Sequence, residues 1–559
     1  MDRAEIVRYL LSNEIIFSTV SGILTTKPSL IGLVDRTIPE IKIITTKSYQ
    51  VAPNPGNREP IIVETGVGDF GNAVGLRNPG MEEGYRELEK LRLRALLNVS
   101  LSASCPEDFV RLVSRFESVA DILELNFSCP HAREGYGSSI GSDAGIVAQY
   151  LTAMRKETRA LLFPKLTPNV ENIGQIARAA VDAGADGIVA INTVGPELYL
   201  EENSGRPLLN NPRGHVGGKS GEWIREIALQ KVREIRRAVG DAVPIIGMGG
   251  ITYAADARNM IQAGANAVGV GSVLARVDPE QRADYFAALK ADIENDTRTA
   301  DAFVSRQRLG QYRPYRIARI DEHGEDLRVY ELEGGLDCRS SQFVFIWLAE
   351  ISGEKPFAVA GSDPLTFIIR KRPYSPEENR GLFTHEIFGK KVGDTLFVRG
   401  PYGAPAPLTD KPRVCLVVGG TGIAVVPKLV EELGQAGKEI VVYYGVTSPE
   451  QVAFRQEIER YARYITVPDH GVIGRVLQVM QADLRDQPSD DLCFYNAGPL
   501  PMMKAAAEIE RKLGAREIYL SLETNTMCGY GICGECECGG LLPCKQGTFF
   551  GYDFASEHI

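Results

Sequence analysis

Residues 121–131 read DILELNFSCPH, an apolar run that gives way to Asn126, Ser128 and Cys129. A short apolar run bounded by polar residues reads as a buried strand, and its C-terminal end here carries groups capable of chemistry. The pattern recurs in ALLNVSLS (95–102), LFPKLTP (162–168), GIVAINT (187–193), PIIGMGG (244–250) and AVGVGS (267–272). Segments with helical spacing, such as VENIGQIARAAVDAGA and EIALQKVREIRRAVG, lie between them. Repeated βα units build a parallel sheet, and so many in one region predict an α/β fold of the closed (β/α)8 TIM-barrel type.

Such barrels place chemistry at the C-terminal strand ends. Those ends carry Asn126, Ser128 and Cys129 on one strand, Lys165 on another, and Asn192 with Thr193 on a third. Each alone is more readily a strand-end cap or a satisfied loop residue; their shared location argues for a site. The last two strands end in Gly247-Met248-Gly249-Gly250 and Gly269-Val270-Gly271-Ser272. Glycine there lets backbone N–H groups approach an anion, so a phosphorylated cofactor or substrate is expected.

The chain has 559 residues, too many for one hydrophobic core, and its net charge of -10 argues against a nucleic-acid surface. No uncharged apolar run is long enough to span a membrane. Charges break the N-terminal MDRAEIVRYLLSNEIIF where a signal peptide would be apolar, so a cytoplasmic protein is expected. Five of the ten cysteines crowd into residues 528–544, a sign of metal rather than cross-links.

After about residue 305 the pattern changes to YRPYRIARI, DLRVYELE, QFVFIWLA, LTFIIRK and DTLFVRGPYG, the short alternating runs of an antiparallel barrel. RVCLVVGGTGIAVVPKLVEEL then reads as strand, glycine turn and helix, a dinucleotide-fold signal in Gly420 and Gly422 that a tight packing turn would equally produce. Cys528-x4-Cys533-x2-Cys536 followed by Cys544 has plant-type ferredoxin spacing, in which thiolates hold a [2Fe–2S] cluster. A tetrathiolate zinc site and disulfides are the competing readings, and Cys538 is a fifth thiol, either spare or a replacement ligand.

On ITTKSYQ, GNAVGLRNPG, LELNFSCPH, PKLTPN, AINT, GGKSG, IIGMGGI and GVGS, the first 280 or so residues resemble the class 1 dihydroorotate dehydrogenases. They are also similar to the pyrimidine-reducing domain of dihydropyrimidine dehydrogenases. The resemblance implies FMN near Ser21, Gly22, Lys47, Lys165, Gly217 and Gly218, with its phosphate near Gly249, Gly250, Gly271 and Ser272. It implies substrate contacts from Lys47, Asn72, Gly75, Leu76, Asn126, His131, Asn192 and Thr193, and Cys129 as the acid/base. A thiol of ordinary pKa about 8.5 needs only a modest shift to be poised near neutrality.

Residues 308–554 resemble the electron-transfer subunit of the NAD-dependent (class 1B) enzymes, so the whole looks like a single-chain fusion of two subunits. That implies FAD held by Lys355, Pro356 and Phe357, with its pyrophosphate at Gly381 and Thr384. The similar Arg372-Pro373-Tyr374-Ser375 is read as a decoy, because it follows rather than precedes the strand LTFIIRK.

The expected division is an FMN barrel (1–305), an FAD-binding β-barrel (306–410), an NAD-binding α/β domain (411–519) and a cluster domain (520–559). The implied partners are a small-molecule substrate and a nicotinamide cofactor, with neither nucleic acid nor membrane, and the implied assembly is a homodimer through the barrel. Six positions depart from the family pattern: His131 for the usual Asn, Lys219 for an apolar residue, Lys355 for Arg and Ala358 for Ser in the FAD stretch, Val425 for Pro and Ala497 for Cys. The first keeps a uracil/dihydrouracil or unsaturated-carbonyl substrate open beside dihydroorotate.

Overall fold

The alternation along residues 122–126 fixes which side chains enter the first unit's interior. Ile122, Glu124 and Asn126 share one face of the strand, while Leu123 and Leu125 share the other. The computed structural model describes residues 1–128, 138–375, 380–468, 474–485, 487 and 490–558. It comprises two compact units, residues 1–311 with 530–540, and residues 312–529 with 541–559. The sequence boundary was set at 305, and the segment 520–559 expected as one domain is shared between the units.

Eight parallel strands close the first unit's barrel in sequence order. They are β1 (Phe17–Thr19), β2 (Ile41–Thr45), β3 (Leu96–Leu101), β4 (Ile122–Asn126), β5 (Leu162–Lys165), β6 (Ile188–Ala190), β7 (Ile245–Met248) and β8 (Ala267–Val270). Pairing of Phe17 with Val268 completes the ring. The last six coincide with the six runs read from sequence. The first two escaped notice because β1 is three residues long with a buried serine at its centre, and Lys42 interrupts β2.

Ile43, Leu96, Ile122, Phe163, Val189, Ile246 and Ala267 form an apolar layer inside the barrel. The N-terminal helix Arg3–Leu10, capped by Asp2, adds Ile6 and Leu10 to that cluster. One step further along the strands the interior becomes polar, with buried Thr45, Asn98, Glu124 and Lys165. A four-stranded sheet outside the sequence expectation (62–66, 69–72, 194–198 and 216–221) inserts between barrel elements.

In the second unit, the runs expected as an antiparallel barrel form one seven-stranded antiparallel sheet. Ile317, Leu332, Ile346, Phe367 and Val398 come from five of its strands yet share one core, so the sheet curls around it. A six-stranded sheet follows, five strands parallel and the last antiparallel, with Arg413–Gly419 between Glu439–Val446 and Leu492–Ala497. This order is that of a doubly wound sheet, whose ligand crevice lies beyond the carboxyl ends of its central strands. No helix among the described residues is long and apolar enough to cross a membrane.

Helix Leu500–Lys512 carries Glu510 into this unit's interior. Burial pushes its carboxyl up to about 8, against the pull of Asn496, whose Nδ2 donates to it at 2.9 Å. A carboxyl raised on folding adds stability that is full below its unfolded value of about 4.3 and is lost as pH rises through the folded value. Glu510→Gln should therefore flatten the fall in stability between pH ~4.5 and ~8, read as denaturation midpoints across that range; an unchanged slope would refute the assignment.

Candidate active site

Parallel register brings the polar strand ends together. Asn126 pairs beside Lys165 and Ser100 beside Glu124, so four polar side chains from three neighbouring strands come together. Above them, at the carboxyl ends of the strands, opens a cavity. Ser21, Gly22, Lys47, Asn72, Gly75, Leu76, Asn126, Lys165, Asn192, Thr193, Gly249, Gly250, Gly271 and Ser272 all line it.

Gly217 and Gly218 do not line this cavity; Ser220 and Gly221 of the same strand do. A Cβ on Gly217 would lie 2.5 Å from the Asn72 carbonyl oxygen, so that glycine serves close strand packing. The Gly218 carbonyl accepts from Asn72 Nδ2 at 3.1 Å and so orients Asn72. Cys129 and His131 lie outside the described residues.

The amides are held by a hydrogen-bonded chain. Asn192 Nδ2 donates to Ser128 Oγ at 2.7 Å, Ser128 Oγ to Asn126 Oδ1 at 3.1 Å, and Asn126 Nδ2 to Ser48 Oγ at 3.0 Å. Ser48 and Ser100 hydroxyls are 2.9 Å apart, and Ser100 Oγ donates to Glu124 Oε1 at 3.0 Å. Glu124 in turn lies 3.7 Å from Lys165 Nζ. Burial lowers the Lys47 pKa, while Glu535 and Glu87 pull it back up.

Sequence reasoning missed Ser48, Arg77, Ile532, Cys533 and Glu535 on the cavity wall. The last three belong to the cysteine-rich segment, which packs within the barrel unit. The Leu24 amide donates to the Ile532 carbonyl at 3.0 Å, Arg282 Nη2 to the Gly531 carbonyl at 2.8 Å, and Arg77 lies 3.5 Å from Glu535. The available signal was charge, since Arg77 and Glu535 stand among small residues and glycines.

Cys533 and Cys536 belong to the first unit, and Cys528 and Cys544 to the second; all four are buried, and Cys538 is half-buried. The Cys528 carbonyl accepts from Arg399 Nη1 at 2.9 Å, and Arg399 is itself buried against Glu354 at 2.6 Å. Among the described residues, no three or more His, Cys, Asp or Glu side chains are grouped to hold a metal ion.

In the second unit Lys355, Pro356 and Phe357 lie in strand Gly353–Ala358, with Phe357 against Phe383 at 5.7 Å. The next long strand is Leu365–Arg370, so Arg372-Pro373-Tyr374-Ser375 follows it, and Tyr374 stacks on His385. Thr384 Oγ1 accepts from the Arg372 amide at 3.0 Å and donates to the Gly381 carbonyl at 3.1 Å, closing the turn at the head of helix Leu382–Ile387. Gly422 is a packing residue: a Cβ there would lie 2.5 Å from the Ala497 carbonyl. Gly420, at φ +53°, has only the end of the Arg370 side chain, at 4.0 Å, on its Cβ side.

Gly250 adopts φ +74°, and a Cβ there would meet Arg225 Cβ at 2.7 Å and the Gly221 oxygen at 3.0 Å. Gly250→Ala should cost about 1–3 kcal/mol in a denaturant titration; wild-type stability would contradict that reading of the turn.

Residues 17–291 match the family model for dihydroorotate dehydrogenase, and residues 416–508 that for the oxidoreductase NAD-binding domain. Two similar relatives are catalytic subunits of dihydroorotate dehydrogenase B (NAD(+)). That of Methanothermobacter thermautotrophicus is 38% identical over 237 residues, 42% of this chain and 76% of the relative. That of Methanocaldococcus jannaschii is 42% identical over 234 residues, 41% and 74% respectively. A solved chain of an NADH-dependent reduced ferredoxin-NADP oxidoreductase is 26% identical and covers 44% of this chain and 89% of its own, with a TM-score of 0.39. With more than two thirds of those catalytic subunits matched by its barrel, and with an oxidoreductase NAD-binding domain following on the same polypeptide, the chain belongs to the dihydroorotate dehydrogenase family.

Proposed function

We propose that this chain interconverts dihydroorotate and orotate at its barrel and exchanges the electrons with NAD+/NADH in its second unit. The observation that carries the reading is the convergence of Lys47, Asn72, Asn126, Asn192 and Thr193 on one cavity, in a family member that continues into an NAD-binding domain. Amide side chains suit a pyrimidine ring because they supply both donors and acceptors. Lys47 and Arg77 both line the cavity, which favours a ring bearing a carboxylate over uracil.

The cavity fits FMN: Gly22, at φ +80°, has open space where a side chain would enter, and Lys165 is the buried cation among the lining residues. FMN would be held by Ser21, Gly22, Lys165, Gly249, Gly250, Gly271 and Ser272, and FAD by Lys355, Pro356, Phe357, Gly381 and Thr384. Gly420 would face the nicotinamide cofactor's phosphates. When bound, the flavins supply hydride acceptance and return between substrate and nicotinamide. The chain's own residues hold the ring with amides, neutralise its carboxylate with Lys47, and move one proton at the carbon beside the hydride-donating carbon. Cys129 is our choice for that proton, as base in oxidation and acid in reduction.

The reading extends to a [2Fe–2S] cluster on Cys528, Cys533, Cys536 and Cys544, supported by their spacing and by four buried thiol donors. It also extends to a homodimer through the barrel and a cytoplasmic location, both carried by the resemblance. Iron and acid-labile sulfide should co-purify in a ratio near one to one and fall together in Cys536→Ser. Zinc in their place would remove the cluster.

Orotate should reoxidise the NADH-reduced flavins, and uracil should not; the reverse preference would move the substrate to uracil/dihydrouracil. Cys129→Ala should abolish substrate-dependent flavin reduction while NADH oxidation by artificial acceptors persists. Survival of both activities would remove Cys129 from the mechanism.

A further inference from the structure

Glu124 is wholly buried and does not line the cavity, yet it ends the hydrogen-bonded chain that begins at Asn192. Each hydroxyl has one proton. Ser100 spends its proton on Glu124, so Ser48 must donate to Ser100 and can only accept from Asn126. All five bonds therefore point one way, toward the carboxylate. A carboxylate is an acceptor only, and this is the one arrangement in which every member of the chain has a partner.

The second partner of Glu124 is Lys165, at 3.7 Å and equally buried. Its other oxygen, Oε2, has no hydrogen-bond partner among the described residues. Burying such a pair costs more than a single contact of this geometry restores, so packing alone does not account for it. Lys165 makes no other polar contact among the described residues, and the remaining donors of its ammonium are available to the cavity it lines.

We infer that Glu124 is a positioning residue with two outputs: it anchors Lys165 on the flavin side of the cavity, and through Ser100 and Ser48 it sets the orientation of the amides Asn126 and Asn192 on the substrate side. The inference rests on the flavin and substrate reading proposed above. A change at Glu124 reaches both sides of the site, whereas a change at Ser100 reaches only the amides.

The test uses the full chain loaded with FMN, with the flavin midpoint potential and the substrate KM measured for three variants. Glu124→Gln leaves the Lys165 ammonium uncompensated, which favours the electron-rich flavin; the potential should rise and KM should increase about tenfold. Ser100→Ala should raise KM by a similar factor and leave the potential unchanged. Lys165→Met should lower the potential. Wild-type potential and KM in Glu124→Gln, or a wild-type KM in Ser100→Ala, overturns the inference. If Glu124→Gln does not fold, Ser100→Ala decides, because its KM must move without the potential. A Lys165→Met chain with unaltered potential overturns the flavin-side reading instead, and the Ser100→Ala result then judges the amide chain by itself.

Discussion

Closure of eight parallel strands into a ring is the constraint on which the catalytic half depends. In such a ring alternate side chains point inward, and parallel pairing aligns the strands' carboxyl ends at one rim. Ile122, Glu124 and Asn126 thus rise through the interior as apolar floor, buried charge and cavity-facing amide. Pairing of Ser100 with Glu124 and of Asn126 with Lys165 turns three separate strands into one polar layer. A slip of one residue in β4 would send Glu124 and Asn126 outward and put Leu123 and Leu125 in their place.

That layer stands where a barrel would otherwise be packed with branched apolar side chains. Buried polar groups are stabilised by partners, and here serine, asparagine and glutamate bond one another in sequence, with Glu124 Oε2 left without a hydrogen-bond partner among the described residues. The second unit handles its turns differently. Gly422 and Gly498 allow two strand-end turns to touch, since a Cβ on Gly498 would lie 2.7 Å from the Gly419 oxygen. The glycine-rich signature there divides into residues that pack and one, Gly420, that leaves room for a ligand.

Much of the barrel was legible because its later strands are continuous apolar runs between amphipathic helices. β1 and β2 were not, because three residues with a central serine and five with a lysine carry too little pattern. The inserted four-stranded sheet was missed for a related reason: its strands hold glycine, asparagine and serine, which read as loop. In the site, the strand-end amides and lysine and the glycines of the last two turns were readable as types in position. Ser48, Arg77 and Glu535 were not, although each sits inside a quoted motif, because which motif residues face the cavity is set by tertiary packing.

From sequence alone came the barrel class, the change of architecture after about residue 305, the strand-end Asn126, Lys165 and Asn192, and the ferredoxin spacing of the cysteines, since these are local patterns of period and spacing; Lys47 and Asn72 came from the family resemblance. Only the tertiary structure decided that residues 530–540 pack within the barrel unit, that Gly217 serves strand packing and Gly218 accepts from Asn72 while Ser220 and Gly221 line the cavity, and that Glu124 ends a one-way chain of hydrogen bonds. Each depends on which residues from distant parts of the chain face one another. Local periodicity says which way a side chain points, but the identity of its partner is set by register and closure.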